Sequence, residues 1–151
     1  MNKITKDTPL KEVLKLAHPC KCDACSNGCK YGSGFLIGED SKNIAKFLNI
    51  GEEELKEKYL EDAEQFNTKL LRPKIERKDG KPYGKCIFFD EKAGCKVHDV
   101  KPLQCKISMG CGPYGEELSL WFMHNCIINE SNKKSMEELD VYIKSGGKTL
   151  E

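Results

Sequence analysis

The chain has 151 residues, a formal net charge of +1 and 38% hydrophobic residues. That length suits one domain with a core of its own, so no metal is needed merely to offset small size. Near-neutral charge gives no global pull toward nucleic acid or a membrane surface. No apolar run approaches the ~20 residues of a membrane span, and the first residues lack the apolar stretch of an export signal.

In chain order, Thr8 reads as an N-cap and Pro9 as the first position of a helix. Leu10, Val13, Leu14 and Ala17 form its apolar stripe, and Pro19 ends it. Residues 18–34 hold Cys20, Cys22, Cys25 and Cys29 among Gly28, Gly32 and Gly34. Such small residues let backbone amides turn toward sulfur. The spacing predicts a helix over 40–49 with Ile44, Phe47 and Leu48 inward, ended by Ile50-Gly51. It predicts a longer helix over 52–66 with Leu55, Tyr59, Ala63 and Phe66 on one side, supported by the pairs Glu52–Lys56 and Glu54–Lys58. This pair of helices is acidic, whereas residues 69–106 are basic.

From Thr68 the pattern changes to short strands or a small hairpin. Residues 70–76 partly alternate, Asp79-Gly80 is a turn signal, and residues 86–90 are a short apolar run followed by a turn at 91–94. Lys101-Pro102 starts a helical turn within 99–107. Gly110, Gly112, Pro113 and Gly115 mark a loop, and residues 118–123 form a short apolar element carrying Trp121. Ser131 or Asn132 caps a last helix with Met136, Leu139, Tyr142 and Ile143 inward, and residues 145–151 read as a frayed tail. The expected fold is a small, mainly helical α+β domain with long cysteine-bearing loops around a metal centre. Residues 1–19 would form its N-terminal helix, 20–128 the metal-binding domain, and 129–151 a helix and tail of the same unit.

Nine cysteines are the dominant chemical feature, four of them within residues 20–29. With no export signal we expect a cytoplasmic protein, where thiols stay reduced. An odd count also argues against a complete disulfide set. Cys22-x2-Cys25 is a chelate pair suited to zinc or to an iron–sulfur cluster. The later cysteines, Cys86, Cys95, Cys105, Cys111 and Cys126, supply no second tight pair, so this is not a zinc ribbon. Nor does the first run match the bacterial ferredoxin spacing. Local spacing thus points to a metal and leaves its kind open. Cys95-x2-His98 has a mixed zinc spacing, set against a packing role for His98. His18 lies near the first loop, and His124 precedes Cys126 by two residues. Lys101 and Lys106 flank Cys105 as counter-charges or as ordinary surface lysines. No Ser/His/Asp order, phosphate loop or paired carboxylate stands out, so no catalytic residue is assigned.

Cys22-Asp-Ala-Cys25-Ser-Asn-Gly28-Cys29 resembles the signature of the YkgJ-type cysteine-cluster family, the CxxCxxCC zinc- or iron-chelating domain. The resemblance continues through Gly84-Lys-Cys86-Ile-Phe-Phe-Asp90, Gly94-Cys95-Lys-Val-His98, Lys101-Pro102-Leu103-Gln104-Cys105-Lys106 and Asn125-Cys126. This sequence departs from the pattern at Gly28, where the family has a cysteine, at Lys101 and Lys106, where it has arginines, and at His98, where it has a tyrosine. The resemblance implies a metal held by Cys22, Cys25, Cys29, Cys86, Cys95 and Cys105, together with Cys126. Cys20 and Cys111 are extra, and one of them is expected to take over the role lost at Gly28. So many thiolates exceed one four-coordinate site. The surplus, the glycine-rich loops and the shared signature of flagellin lysine methylases favour an iron–sulfur cluster, [4Fe–4S], over zinc. The expected function is an accessory or electron-transfer component working with a protein partner or larger complex, with no nucleic acid. The alternatives are a zinc-stabilised interaction module and a component of a protein-lysine methylating system.

Overall fold

The computed structural model describes residues 3–17, 20, 22–108 and 113–151. It begins with α1 (Leu10–Leu16), α2 (Asp23–Asn27), a 3-10 turn (Gly28–Lys30), α3 (Asp40–Leu48) and α4 (Glu52–Tyr59). Six short strands follow: β1 (Leu60–Gln65), β2 (Thr68–Pro73), β3 (Ile75–Arg77), β4 (Gly84–Cys86), β5 (Phe89–Asp90) and β6 (Gly94–Cys95). After a 3-10 turn (His98–Val100) come α5 (Leu103–Ile107), α6 (Gly115–Phe122), a π-helical turn (Met123–Ile127) and α7 (Lys133–Lys144). The strands pair antiparallel as β1–β2, β3–β4 and β5–β6. The α+β reading therefore holds, but "mainly helical" holds only in part, because the middle of the chain is a series of two-stranded ribbons.

The largest departure from the sequence reading is the helix expected over 52–66. It stops at Tyr59, and Leu60–Gln65 is β1, in register from Leu60 opposite Pro73 to Gln65 opposite Thr68. The reason is the connection. Phe66 and Asn67 both have positive φ, 49° and 56°, the pattern of a two-residue hairpin turn whose twist matches the strands it joins. Positive φ is costly for an aromatic residue. Burial of Phe66, whose ring meets Tyr142 edge-on at 5.6 Å between centroids, offsets it.

Other corrections concern faces. Ile44 and Ala45 are buried on α3, but Phe47 is exposed, and Asn49 in the left-handed conformation closes the helix. On α1 only Val13 is buried, and Pro9 rather than Thr8 stands at the cap position. On α7, capped by the Asn132 side chain accepting from the Ser135 amide, Leu139 and Tyr142 pack inward while Met136 and Ile143 are exposed. The tail is bonded in place. The Lys6 amide donates to the Glu151 carbonyl, and the Leu150 amide donates to His124 Nε2.

Two apolar cores result. One joins Ile4 and Val13 to Ile107, Leu118, Trp121, Phe122 and Ile127. Trp121 Nε1 donates to the Thr8 carbonyl at 2.7 Å, which ties the two ends of this core together. The other gathers Leu36, Ile44, Leu55, Leu60, Phe88, Phe89 and Val97, and Cys86 is part of it.

Candidate metal centre

The second core forms one wall of a cavity of about 720 Å³. Six of the predicted thiols line it: Cys20, Cys25, Cys29, Cys86, Cys95 and Cys105. They arrive on four stretches of chain, around residues 20–29, 86, 95 and 105, and a set of long-range bonds explains why these stretches meet. The Gly84 amide, at the start of β4, donates to the Tyr31 carbonyl, which holds the Cys29 turn beside the Cys86 strand. A Cβ on Gly84 would collide with the Glu76 carbonyl across the β3–β4 ribbon, so only glycine fits there. The Phe35 amide donates to Gln104 Oε1 at 2.7 Å. One oxygen of Asp40 accepts from the Ile37 and Leu103 amides, so α3 anchors the start of α5, which carries Cys105. Upstream, Glu61 on β1 accepts from Arg72, from the Ile75 amide and from Arg77, fixing the β3–β4 ribbon against the first hairpin.

Cys29, Cys86, Cys95 and Cys105 act on one another electrostatically in all six pairs. Burial, reinforced by the like charge of these neighbours, pushes the Cys86 thiol up to about 12 from its ordinary 9.0. Cys105 is raised by the same causes, again with burial first. Cys29 is raised by burial and by Cys95, and Lys101 opposes this. In the metal-free fold these thiols are therefore protonated near neutral pH. Thiols that would repel one another and the neighbouring Cys95 on ionising are favoured as thiolates by a bound cation.

The chemistry of the donor set fits a thiophilic metal or cluster. Backbone amides already face the sulfurs. Phe88 and Phe89 direct theirs at Cys86, and Gly34 directs its own at Cys105. Gly34 also lies so close to Cys105 Sγ that a Cβ would occupy the sulfur's place. Amide-to-sulfur hydrogen bonds of this kind stabilise thiolate ligands and tune cluster potentials. Lys30, Lys92 and Lys101 line the cavity and supply positive charge near it.

The first cysteine run is arranged differently. The sulfurs of Cys20, Cys22 and Cys25 all lie within 4.8 Å of one another, and the Cys22 amide donates to Cys20 Sγ at 3.5 Å. Among the described residues, no three of the Cys29, Cys86, Cys95 and Cys105 sulfurs meet that limit. Cys22 is exposed, and Cys25 sits one turn before Gly28 on α2.

The remaining candidates separate. Cys126 belongs to the π-helical turn and lines a different recess with His124, Lys6 and Asp7. Its thiol is raised to about 11 by burial and by the charge of Asp40. His124 accepts from the Leu150 amide, so that ring nitrogen is engaged with the tail. His98 lines the main cavity. Cys111 and His18 lie outside the described residues. Sequence reasoning passed over Gln104, Asp40 and Glu61, which position the ligand-bearing segments. Their signal was invisible because each acts across more than ten residues of chain.

A cavity walled by cysteines from separate elements, with backbone amides directed at sulfur and lysines on its wall, defines a thiolate metal-chelating domain. The chain belongs to the CxxCxxCC family, described as "Putative zinc- or iron-chelating domain", whose match covers residues 21–137. No curated protein and no solved structure matches the chain. Among the described residues no helix is long and apolar enough to cross a membrane.

Proposed function

We propose that this protein carries a cysteine-ligated iron–sulfur cluster, [4Fe–4S], on Cys29, Cys86, Cys95 and Cys105, and serves a protein partner as an accessory or electron-transfer component. The observation that carries this reading is four thiols on one cavity wall that act on one another in every pairing, no three of them within 4.8 Å of one another among the described residues. Sulfurs around a single tetrahedral zinc, with Zn–S bonds of ~2.3 Å, stand about 3.8 Å apart. A cluster places its irons at separate corners and takes thiolates that are further apart. The wider set, enclosed by Phe88, Phe89 and Gly34, suits the cluster. When bound, the group would supply a one-electron couple. The chain's own residues would set its potential through the amides of Phe88, Phe89 and Gly34 and through the charge of Lys101.

The test is iron, zinc and acid-labile sulfide per chain, with an optical spectrum, on protein purified without oxygen. About four irons and four sulfides, with broad absorbance that bleaches on reduction, are expected. Zinc with no sulfide in a colourless protein would reject the cluster and leave a zinc-stabilised interaction module.

A further inference from the structure

Tyr31 and Tyr83 are large side chains that the fold leaves in water, exposed over 57% and 45% of their surface. They come from distant segments, yet their rings meet, 6.1 Å between centroids and tilted at 59°. The meeting is fixed by the backbone beneath. The Tyr31 carbonyl accepts from the amide of Gly84, the residue after Tyr83, and the β3–β4 ribbon holds Gly84 opposite Arg77. Two tyrosine rings held in place offer rigid contact area with little side-chain freedom to lose, the kind that interfaces concentrate at their centres. Charge surrounds the pair. Lys81 Nζ stands 5.6 Å from the centroid of the Tyr83 ring. Lys30, Lys92 and Lys101 lie on the wall of the cavity that Tyr31 also lines. Among the described residues none of these four lysines is in an ion pair. Asp23 and Glu91 share the wall, so four cations stand against two carboxylates. The place matters as much as the charge. Tyr31 closes the turn that carries Cys29, and Tyr83 leads into the strand that ends in Cys86. A partner seated on the two rings therefore rests on the outer edge of two thiol-bearing segments.

We propose that Tyr31 and Tyr83, with Lys30, Lys81, Lys92 and Lys101 around them, are a docking surface for the acidic face of a partner protein. This deepens the proposed function by giving the partner its chemistry, and it rests on that reading only in expecting a protein there. The rings supply contact area, and the lysines steer the approach and reject basic proteins. A single-stranded nucleic acid would also stack on two rings. Its phosphates, laid along this wall, would meet Asp23 and Glu91, and the net charge of +1 gives them no wider hold. The observations favour a protein.

Flavodoxin, a small acidic protein, is the probe. The full chain, isotope-labelled and purified without oxygen, is titrated with it while the amide resonances are followed by NMR. Shifts confined to the segments around residues 30–31 and 81–85 are expected at about 10 mM ionic strength, where screening reaches ~30 Å. Binding should weaken about tenfold at about 0.15 M, where screening reaches ~8 Å. Basic cytochrome c should move none of these amides. Tyr83→Ala should weaken flavodoxin binding about tenfold. Lys81→Glu should weaken it as well and flatten its salt dependence. Neither residue lines the cavity, so metal and sulfide per chain should stay at their native values in both variants. Lys133→Glu makes the same change of charge on α7 and should bind as the native chain does. Equal losses in Lys81→Glu and Lys133→Glu would reduce the effect to net charge and overturn the proposal. So would shifts that fall elsewhere, or shifts at the two tyrosine segments with a single-stranded oligonucleotide and none with flavodoxin. Shifts there that grow with protein concentration alone would make the occupant a second copy, whose residues 38–66 carry nine acids and four bases, and would also overturn it. Iron and sulfide decide the cluster separately. A chain that lacks them loses the cluster reading, and its docking surface stands or falls on the shifts.

Discussion

The two apolar cores are built from similar side chains but hold themselves together in different ways. Around Phe122 the wall is closed. Val13, Ile107, Leu118 and Phe122 are fully buried, and the tail and N-terminus are bonded across it. Around Phe88 the wall is interrupted. Cys86 is a member of the core, Cys29 and Cys95 pack against it, and the far side is the cavity. Packing is the main support of the first region, at roughly 1.5–3 kcal/mol for each large side chain fully buried. The second gives up part of that contact to present thiols, so its stability depends on what the thiols hold. A domain of this size can keep its fold at one end and make the other end conditional on metal.

The contrast can be broken first at Phe122. Phe122→Ala should cost ~3–5 kcal/mol, the usual range for a large aromatic removed from a closed core. Urea unfolding of the metal-free protein would measure it. Metal per folded chain should stay at its native value, because Phe122 does not line the cavity. A variant that loses metal in proportion to its loss of stability would show that the two regions are one cooperative unit.

The second way to sharpen the comparison is alkaline pH. Burial raises Cys86 from 9.0 to about 12, and Cys105 and Cys29 shift in the same direction. Below pH 9.0 both the folded and unfolded chains keep these protons, so pH has no effect through them. Above it the unfolded chain releases protons that the folded chain retains. Stability of the metal-free protein should therefore fall as pH rises from about 9 toward 12, by at most about 1.4 kcal/mol per pH unit for each such thiol. Metal-loaded protein holds thiolates already and should lack this slope. Urea midpoints across that range, with and without metal, separate the two. Equal slopes would mean that metal does not bind these thiols.

The candidate site was more legible in the sequence than the fold around it, and the reason is range. Cysteine spacing and the Gly84, Pro102 and Asp79-Gly80 signals are local, and each acts where it stands. The strand at Leu60–Gln65 was misread because Glu61, Asp62, Ala63 and Glu64 are compatible with helix in isolation. Only the turn at Phe66-Asn67 and pairing with Thr68–Pro73 make the segment extended. The exposed faces of Phe47, Met136 and Ile143 were likewise assigned by periodicity, which marks an apolar side but not whether anything covers it. The meeting of Cys29 with Cys86, Cys95 and Cys105 around one cavity was out of reach. It depends on the bonds from Gly84 to Tyr31 and from Phe35 to Gln104, which join segments more than 50 residues apart.

Glu61 offers the smallest test and the one that reaches the centre from outside. Its carboxylate receives Arg77, the Ile75 amide and Arg72. These bonds, led by that from Arg77, hold it down at about 2 against an ordinary 4.5. The stability this contributes is present above pH 4.5 and is lost as pH falls toward 2. Arg77 is substantially exposed, so salt screens much of the pair's energy. Glu61→Gln keeps the shape and one acceptor for the Ile75 amide but removes the charge, and should cost only ~1 kcal/mol at neutral pH. Its urea midpoint should be flatter than that of the native chain between pH 4.5 and 2. Glu61 also fixes the ribbon that carries Cys86, so the same variant should release metal to a chelator faster without lowering the amount bound at saturation. Unchanged release would confine Glu61 to the first hairpin and place the hold on Cys86 in the Gly84–Tyr31 and Ile87–Lys74 bonds and the β3–β4 pairing.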